Sequence, residues 1–190
     1  MEGVRGPVSH RIVIGAALCA LALLAAGCGG DDDAPPPVPQ GFVVEQGREW
    51  TFARPRDWSP IEAEPTPGKE LLGFQSGLGP AGLPAQVGLG TNPRYGNELG
   101  QAVQLAKEQS EIKYPGYEVL DERELELAGA DAYRIDAEYD SFDDEPVRVR
   151  TTDLLVKTAG GTQMNFFVRA AADDFERLGL ERVVSTFRVR

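Results

Sequence analysis

The sequence predicts an α+β protein built around an antiparallel, hairpin-rich sheet. Three observations support this class. Runs of alternating apolar and polar residues, which are typical of strands, recur between residues 42 and 170 and are separated by Gly- and Pro-rich turns. Residues 97–114 carry apolar side chains at helical spacing. A second helical pattern begins at Asp173, close to the C-terminus.

Short strands are predicted before the mid-chain helix, each bounded by Pro or Gly. They comprise residues 50–54, which stop at Pro55 and a turn at 57–60, and then residues 71–75 and 85–89. The segment Gly77–Pro84 between the last two is uncharged and partly apolar. It indicates either a plain connection between strands or a mobile loop that contacts a partner or a lipid.

The mid-chain helix is predicted from one apolar stripe with polar residues outside it. Asn97 can cap its first turn, and the helix should end before Pro115. Residues 117–127 are expected to be extended, with a turn at Gly129. The stripe consists of Leu99, Ala102, Val103 and Ala106.

Residues 132–139 have the most regular strand pattern in the sequence. Ala132 aside, their apolar side chains fall on odd positions and their charged side chains on even positions. Residues 146–157 are the expected hairpin partner, in which Arg148 and Arg150 would face Asp136 and Glu138. The apolar residues of this partner change from odd to even positions, which predicts a β-bulge at residues 151–153.

The last part of the chain predicts one central strand and a broken helix. Residues 164–170 are almost continuously apolar, which is typical of a strand inside a sheet. Asp173 and Glu176 have the spacing of a capping box, so a short helix is expected to begin there. Gly179 should interrupt it, and the apolar residues that follow should pack on the sheet. These are Leu180, Val183, Val184 and Phe187.

The N-terminal residues predict export and lipid attachment rather than a folded core. Residues 12–26 form an apolar run that is shorter than the about 20 residues of a membrane span, and a positive leader precedes it. Residues 1–27 therefore have the pattern of a signal peptide. The run ends in Leu24–Cys28, which resembles the lipobox of bacterial lipoproteins, with cleavage between Gly27 and Cys28 and a lipid on Cys28. The alternatives are an ordinary secreted protein and an uncleaved anchor.

Residues 28–41 are expected to form a disordered tether between the lipid and the domain. They contain three glycines, three aspartates and a proline tract, a composition that cannot pack a core. The prolines favour an extended spacer. The folded domain is therefore expected over residues 42–190.

Composition excludes several classes of function. The formal net charge is −11, and residues 1–27 contain one acidic and two basic residues, so their removal makes it −12. Such a protein repels phosphate groups, and no nucleic acid partner is expected. The only histidine is His10 and the cysteines are Cys19 and Cys28, so the cleaved chain would keep Cys28 alone. No Ser-His-Asp, Cys-His or zinc site is then expected, nor any cofactor. A pair of carboxylates for hydrolysis stays open.

Three groups of residues are candidate binding sites, and each has a simpler structural explanation. An oxygen-rich loop is either a calcium site or a solvated hairpin tip. Three arginines either bind an anion or pair with carboxylates across the strands. Five aromatic residues either line a pocket or pack in the core. The groups are Asp140, Asp143, Asp144 and Glu145; Arg134, Arg148 and Arg150; and Trp50, Trp58, Tyr95, Tyr114 and Tyr117.

Five segments spread through residues 42–190 carry a family resemblance. They are Phe52–Pro55 with Asp57-Trp58, the mid-chain helix, Leu127–Arg134, Leu154–Val156 with Gly160-Gly161, and Asp174-Phe175 with Val184–Phe187. Together they resemble the PsbP-like superfamily, and within it the LpqN-type bacterial lipoproteins. The resemblance implies an αβα sandwich around a mostly antiparallel sheet and a non-enzymatic role in binding or assembly. Plant members of this superfamily are linked to metal ions, partly through histidine. No such metal site is carried over to this chain.

The expected function is that of a lipoprotein anchored to the extracytoplasmic face of the cell membrane. It would act as a non-catalytic binding or scaffold module for an envelope protein complex. The alternative is a carrier of a small molecule or lipid, with a pocket between sheet and helix.

Overall fold

The larger of two antiparallel sheets has seven strands and forms the middle layer of the domain. The structure is a computed structural model that describes residues 38–62, 69–92 and 98–190. The strands are β1 Phe42–Gln46, β2 Trp50–Pro55, β3 Ser59–Pro60, β4 Leu71–Leu78, β5 Pro84–Asn92, β6 Glu118–Leu127, β7 Ala130–Asp140, β8 Arg148–Lys157, β9 Gln163–Ala171 and β10 Arg188–Val189. The helices are α1 Leu99–Lys113, α2 Ala172–Arg177 and α3 Glu181–Val184.

Strand β9 lies at the centre of the large sheet, as its continuous apolar sequence predicts. The strand order is β3-β4-β5-β9-β8-β7-β6, and every neighbouring pair is antiparallel. Met164, Phe166 and Val168 on one face of β9 are completely buried. Helices pack on both faces of this sheet.

The main core lies on the face of the large sheet that carries Phe166. The small sheet, in the order β1-β2-β10, packs there together with α2 and α3. The Phe166 ring is 5.1 Å from the ring of Phe52 in β2 and 4.7 Å from the ring of Phe187 after α3. These aromatic contacts join the large sheet, the small sheet and the C-terminal helices into one core.

Helix α1 covers part of the opposite face. Ala102 and Val103 are its buried residues, and Val103 packs with Ile135 of β7 and Leu155 of β8. The stripe predicted from helical spacing is thus the face that contacts the sheet. The α+β class, the antiparallel sheet and the helices on both of its faces are confirmed.

The predicted β-bulge at residues 151–153 is wrong. Strands β7 and β8 pair without a break from Asp131 opposite Lys157 to Asp140 opposite Arg148. The apolar residues of β8 change phase because the strand is buried on both faces, with Leu154 in the main core and Leu155 beneath α1. The irregularities lie elsewhere, at residues 119–121 of β6 and 75–78 of β4.

The predicted pairing of two arginines is correct in one case. Arg150 lies opposite Glu138 as expected, but Arg148 lies opposite Asp140, while Thr152 lies opposite Asp136. Arg148 thus lies four positions along β7 from the expected Asp136, and its side chain forms an ion pair with Glu138 instead. The charged face of β7 is also not a solvent face, since Asp136 is buried.

The expected caps of the helices differ from the structure. Asn97 lies outside the described residues, and Glu98 precedes α1 without a side-chain cap. Helix α2 begins at Ala172 without a side-chain cap, so the predicted capping box is wrong. Asp174 instead accepts hydrogen bonds from Arg177, which lies one turn further along α2.

Replacement of the central core residue should test this account of the fold. Phe166→Ala is expected to lower the free energy of unfolding by about 3–5 kcal/mol, because it removes a completely buried ring that three layers share. Urea denaturation of the purified protein measures the loss. The control Leu178→Ala truncates a partly exposed side chain and should cost less than about 1 kcal/mol. Equal losses in the two variants would contradict the assignment of the core.

Candidate functional site

A cavity lies between α1 and the face of the large sheet opposite the main core. We call it the helix cavity, and its volume is about 260 Å³. It exists because α1 packs on β7 and β8 and leaves β9 beside it uncovered. Its lining consists of Ala106, Gln109, Ser110, Lys113, Tyr114 and Tyr117 from α1 and the turn after it, and Ile135, Tyr139, Thr151, Asp153, Leu155, Asn165, Phe167 and Arg169 from the strands.

The floor of the helix cavity is built by the alternation of side chains along β8 and β9. Thr151 lies opposite Arg169 and Asp153 lies opposite Phe167, and all four side chains point away from the main core. Two charged groups of opposite sign are thereby placed in the same cavity. Sequence inspection alone gives no sign of this, because polar residues at alternate strand positions are also typical of a solvated face.

Asp153 is the only carboxylate in the lining of the helix cavity. Burial raises the pKa of its carboxyl group to about 6, although a hydrogen bond from the Thr151 hydroxyl and the charge of Arg169 act in the other direction. The Thr151 Oγ1 atom donates to Oδ2 of Asp153 over 2.9 Å. The carboxylate is therefore poorly compensated when it is ionised.

Arg169 is held in a defined position by three neighbours. Its Nε atom donates to Oε1 of Gln86 over 2.8 Å, and its Nη1 atom lies 3.5 Å from the hydroxyl of Tyr114. Its guanidinium carbon lies 5.0 Å from the centre of the Phe167 ring, a cation–π contact. Within the described part of the chain, Arg169 forms no ion pair with a carboxylate.

Two stacked tyrosines form one wall of the helix cavity. The rings of Tyr114 and Tyr139 lie 4.3 Å apart. Burial raises the pKa of the Tyr139 hydroxyl and raises that of Tyr117 to about 12, with a further contribution from the charge of Asp153 at Tyr117. Both hydroxyl groups therefore keep their protons at neutral pH and can donate hydrogen bonds.

Gly88 of β5 makes room for the Phe167 side chain on the cavity floor. A Cβ atom at this position would lie 2.4 Å from Cζ of Phe167. A residue with a side chain at 88 would displace the ring and with it the neighbouring Arg169 guanidinium. The glycine thus fixes the shape of the site without lining it.

A second cavity adjoins the first and is more apolar. We call it the hairpin cavity; its volume is about 270 Å³, and it shares Tyr114, Tyr139 and Arg169 with the helix cavity. Leu83 and Pro84 from the β4–β5 hairpin line it. The segment Gly77–Pro84 is therefore a tight hairpin turn whose end contributes to a cavity.

The candidate calcium loop does not form a ligand cage. Among the described residues, no three acidic, His or Cys side chains are placed so that they could hold a metal ion. Asp140 forms an ion pair with Arg148, and Asp143 lines the hairpin cavity. Asp144 and Glu145 are exposed at the hairpin tip.

The three candidate arginines all contact carboxylates, but only Arg148 does so across the strands as expected. Arg134 binds Asp136 through Nε at 2.8 Å and Glu181 through Nη1 at 2.6 Å. Arg148 contacts Glu118, Glu138 and Asp140, and Arg150 contacts Glu176. Arg134 and Arg148 are fully engaged by these contacts, whereas Nε of Arg150 is buried without a hydrogen-bond partner among the described residues.

The candidate aromatic residues separate into two groups. Trp50 and Trp58 are buried in the main core, while Tyr114 and Tyr117 line the helix cavity. Tyr95 lies outside the described residues, as do Gly27 and Cys28. The aromatic content of the sequence thus indicated part of the cavity wall but not its charged floor.

The lining of the helix cavity can bind but lacks the usual arrangements for catalysis. Hydrolysis by paired carboxylates needs two such groups, and the described lining contains only Asp153. Ser110 and Lys113 lie one turn apart on α1 and line the same cavity, but the Lys113 ammonium lies over the Tyr114 ring at 5.0 Å, and Ser110 forms no hydrogen bond with a base among the described residues. Within the described residues, no helix is long and apolar enough to span a membrane.

Comparisons with solved structures show the fold. The cyanobacterial PsbP protein CyanoP from Synechocystis sp. PCC 6803 superimposes with a TM-score of 0.56 at 13% identity and covers 87% of this chain and 99% of its own. The chain has a PsbP-like fold. Mycobacterium tuberculosis LpqN, described as involved in cell envelope biogenesis, gives a TM-score of 0.52 at 15% identity, with 78% of this chain and 90% of its own covered.

A third protein with a similar structure comes from Pseudomonas aeruginosa and is described as a protein of unknown function. It gives a TM-score of 0.51 at 11% identity and covers 74% of this chain and 90% of its own. No protein-family model and no curated protein sequence matches the chain. The PsbP-like fold predicted from the sequence is thus confirmed at the level of structure.

The pH dependence of stability should reveal the buried carboxyl group of Asp153. The folded protein binds its proton more tightly than the unfolded chain, so ionisation above pH 6 costs stability. Asp153→Asn removes this cost and keeps an acceptor for Thr151. The variant should be more stable than the natural protein by up to about 3 kcal/mol above pH 6, and the gain should vanish as the pH falls to 4.

Urea unfolding at a series of pH values measures this difference. The control Asp57→Asn removes a carboxylate from an exposed turn and should give no such pH-dependent gain. A gain for Asp153→Asn that persists unchanged at pH 4 would show that the raised pKa is not its cause.

Proposed function

We propose that this chain is a non-catalytic binding protein of the cell envelope that holds a small polar molecule in the helix cavity. The observation that supports it is the partly open cavity between α1 and the sheet, with tyrosine hydroxyls and the charged groups of Lys113, Asp153 and Arg169 in its lining. Ligand sites combine apolar walls with a few convergent polar groups, and this cavity has that character.

The size of the cavity limits the ligand. Cavities that bind drug-sized molecules have volumes of about 300–1,000 Å³, and the helix cavity at about 260 Å³ lies just below this range. The hairpin cavity adds apolar space beyond the shared tyrosines. A ligand of about the size of an amino acid or a small sugar fits the helix cavity alone.

Filling the helix cavity should remove the ligand. Ala106 is a half-buried residue of α1 that lines the cavity. In the variant Ala106→Phe a ring would occupy the space, so a molecule that copurifies from the host should be lost, as measured by native mass spectrometry. The matched control Leu105→Phe enlarges the neighbouring, exposed residue of the same helix and should retain the molecule. An identical mass for all three proteins, equal to the chain alone, would argue against a ligand.

We further propose that the chain is anchored by lipid on Cys28 and faces the extracytoplasmic side of the membrane. The support is the sequence Leu24–Cys28, which resembles a lipobox, together with the apolar run before it and the acidic, proline-rich residues after it. An anchor with more than one acyl chain holds a protein stably on a membrane. The tether of residues 28–41 would then keep the domain away from the bilayer.

Metabolic labelling with a palmitate analogue tests the anchor. The variant Cys28→Ser should lose the label and leave the membrane fraction or stay unprocessed, because the acceptor thiol is gone. The matched control Cys19→Ser changes the only other cysteine, inside the apolar run, and should keep the label. Labelling of Cys28→Ser at the natural level would refute the assignment.

A second candidate function is the binding of an envelope protein. The observation that favours it is an apolar pair on the outer side of α1, where Ile112 is 87% exposed and Leu105, seven residues earlier, lies on the same side. A photo-crosslinking amino acid at Ile112 should yield a reproducible adduct in cells, and the same group at exposed Asp57 should not. Adducts that are absent, or the same at both positions, would count against a partner at α1.

A further inference from the structure

Three charged side chains line the helix cavity without an ion pair among the described residues, namely Lys113, Asp153 and Arg169. Elsewhere in the domain, weakly exposed charges such as Arg134 and Asp136 form bidentate ion pairs. Asp153 and Arg169 line the same small cavity, yet within the described chain they form no ion pair with each other or with any other residue. Their separation is therefore a property of the site that needs an explanation.

The strand register and the contacts of Arg169 together explain why these two groups do not meet. Thr151 is opposite Arg169 and Asp153 is opposite Phe167, so Asp153 and Arg169 are diagonal neighbours on β8 and β9. Diagonal neighbours lie about 7–8 Å apart, a distance that a long arginine side chain can span unless other contacts hold it back. Gln86, Tyr114 and the Phe167 ring then hold the guanidinium on its own side of the cavity.

Arg169 is arranged as an anion receptor. Its Nε atom is used by Gln86, and the long contact to Tyr114 leaves the outer nitrogens of the guanidinium available. A guanidinium fork matches a carboxylate in plane and can donate two parallel hydrogen bonds to it. The stacked tyrosine wall limits the space on one side of the fork.

Asp153 is arranged as an acceptor for a cationic or strongly donating group. Its one protein donor is the Thr151 hydroxyl on Oδ2, which leaves Oδ1 free of hydrogen bonds from described residues. A half-buried carboxylate with a single neutral donor gains from an ammonium group placed beside it.

We infer that the helix cavity binds a small zwitterion, namely an amino acid whose ammonium group contacts Asp153 and whose carboxylate contacts Arg169. This inference rests on the proposed function of the cavity as a small-molecule site and adds the class of ligand. The volume of about 260 Å³ accommodates a single amino acid, and the space beside Tyr117 and Leu155 is left for its side chain.

Ligand derivatives test the inference without any change to the protein. Each of the twenty L-amino acids is titrated into the full domain and followed by isothermal calorimetry. The tightest binder is then compared with its N-acetyl form, which keeps only the carboxylate, and its carboxamide form, which keeps only the ammonium group. Each capped form should bind at least about tenfold more weakly, the loss expected for one charge-assisted hydrogen bond.

Two variants assign each charge to its residue. Asp153→Asn should weaken the zwitterion and the carboxamide but not the N-acetyl form, whereas Arg169→Lys should weaken the zwitterion and the N-acetyl form but not the carboxamide. The exposed pair Arg56→Gln and Asp57→Asn changes the same kinds of charge outside the cavity and should leave all affinities unchanged.

The outcomes separate this inference from the proposed function. Capped forms that bind as tightly as the zwitterion would overturn it. Absence of binding by any amino acid, together with a copurified molecule that Ala106→Phe removes, would also overturn it while the proposed function stands. Absence of both amino acid binding and any copurified molecule would overturn the two together.

Discussion

The two faces of the seven-stranded sheet must both be covered, and the rest of the structure follows from how this chain covers them. Seven strands spaced by about 4.8 Å give a sheet about 29 Å wide, whereas one helix with its side chains is about 10–12 Å across. On one face the small sheet, α2 and α3 cover the strands and build the main core around Phe166. On the other face α1 covers β7 and β8, and the helix cavity is the space that a single helix leaves over β9.

The two faces of the large sheet also differ in how their charged side chains are paired. On the side of the main core, arginines of the strands form ion pairs with carboxylates. Arg134 contacts both Asp136 of its own strand and Glu181 of α3. Burial opposes the ionisation of Asp136, but hydrogen bonds from Arg134 and Thr152 outweigh it, so the pKa of that carboxyl is lowered. In the helix cavity burial dominates instead, and the pKa of Asp153 is raised. One strand, β8, supplies neighbours to both carboxylates from opposite faces.

The fold could be predicted from the sequence where a pattern has one physical meaning. The stripe of α1 and the continuous apolar run of β9 are such patterns. The change of phase along β8 has two meanings, a bulge or burial on both faces, and only the packing of α1 decides between them. Short strands such as β3 and β10 carry too few residues for alternation to reveal them. In the site, Tyr114 and Tyr117 attract notice as aromatic residues, but Asp153 and Arg169 become a site only through the register of β8 and β9.

The pairing of β2 with β10 sets the order in which the domain can be completed. Trp50 pairs with Val189, so the small sheet joins strands from opposite ends of the domain. Hairpins such as β6–β7 and β7–β8 close short loops and can form as soon as their residues are available. Contacts between distant segments close long loops and form more slowly. A chain that emerges with its N-terminus first can therefore form the separate hairpins early, but β9, which joins the two halves of the large sheet, and the helices that complete the core follow only later.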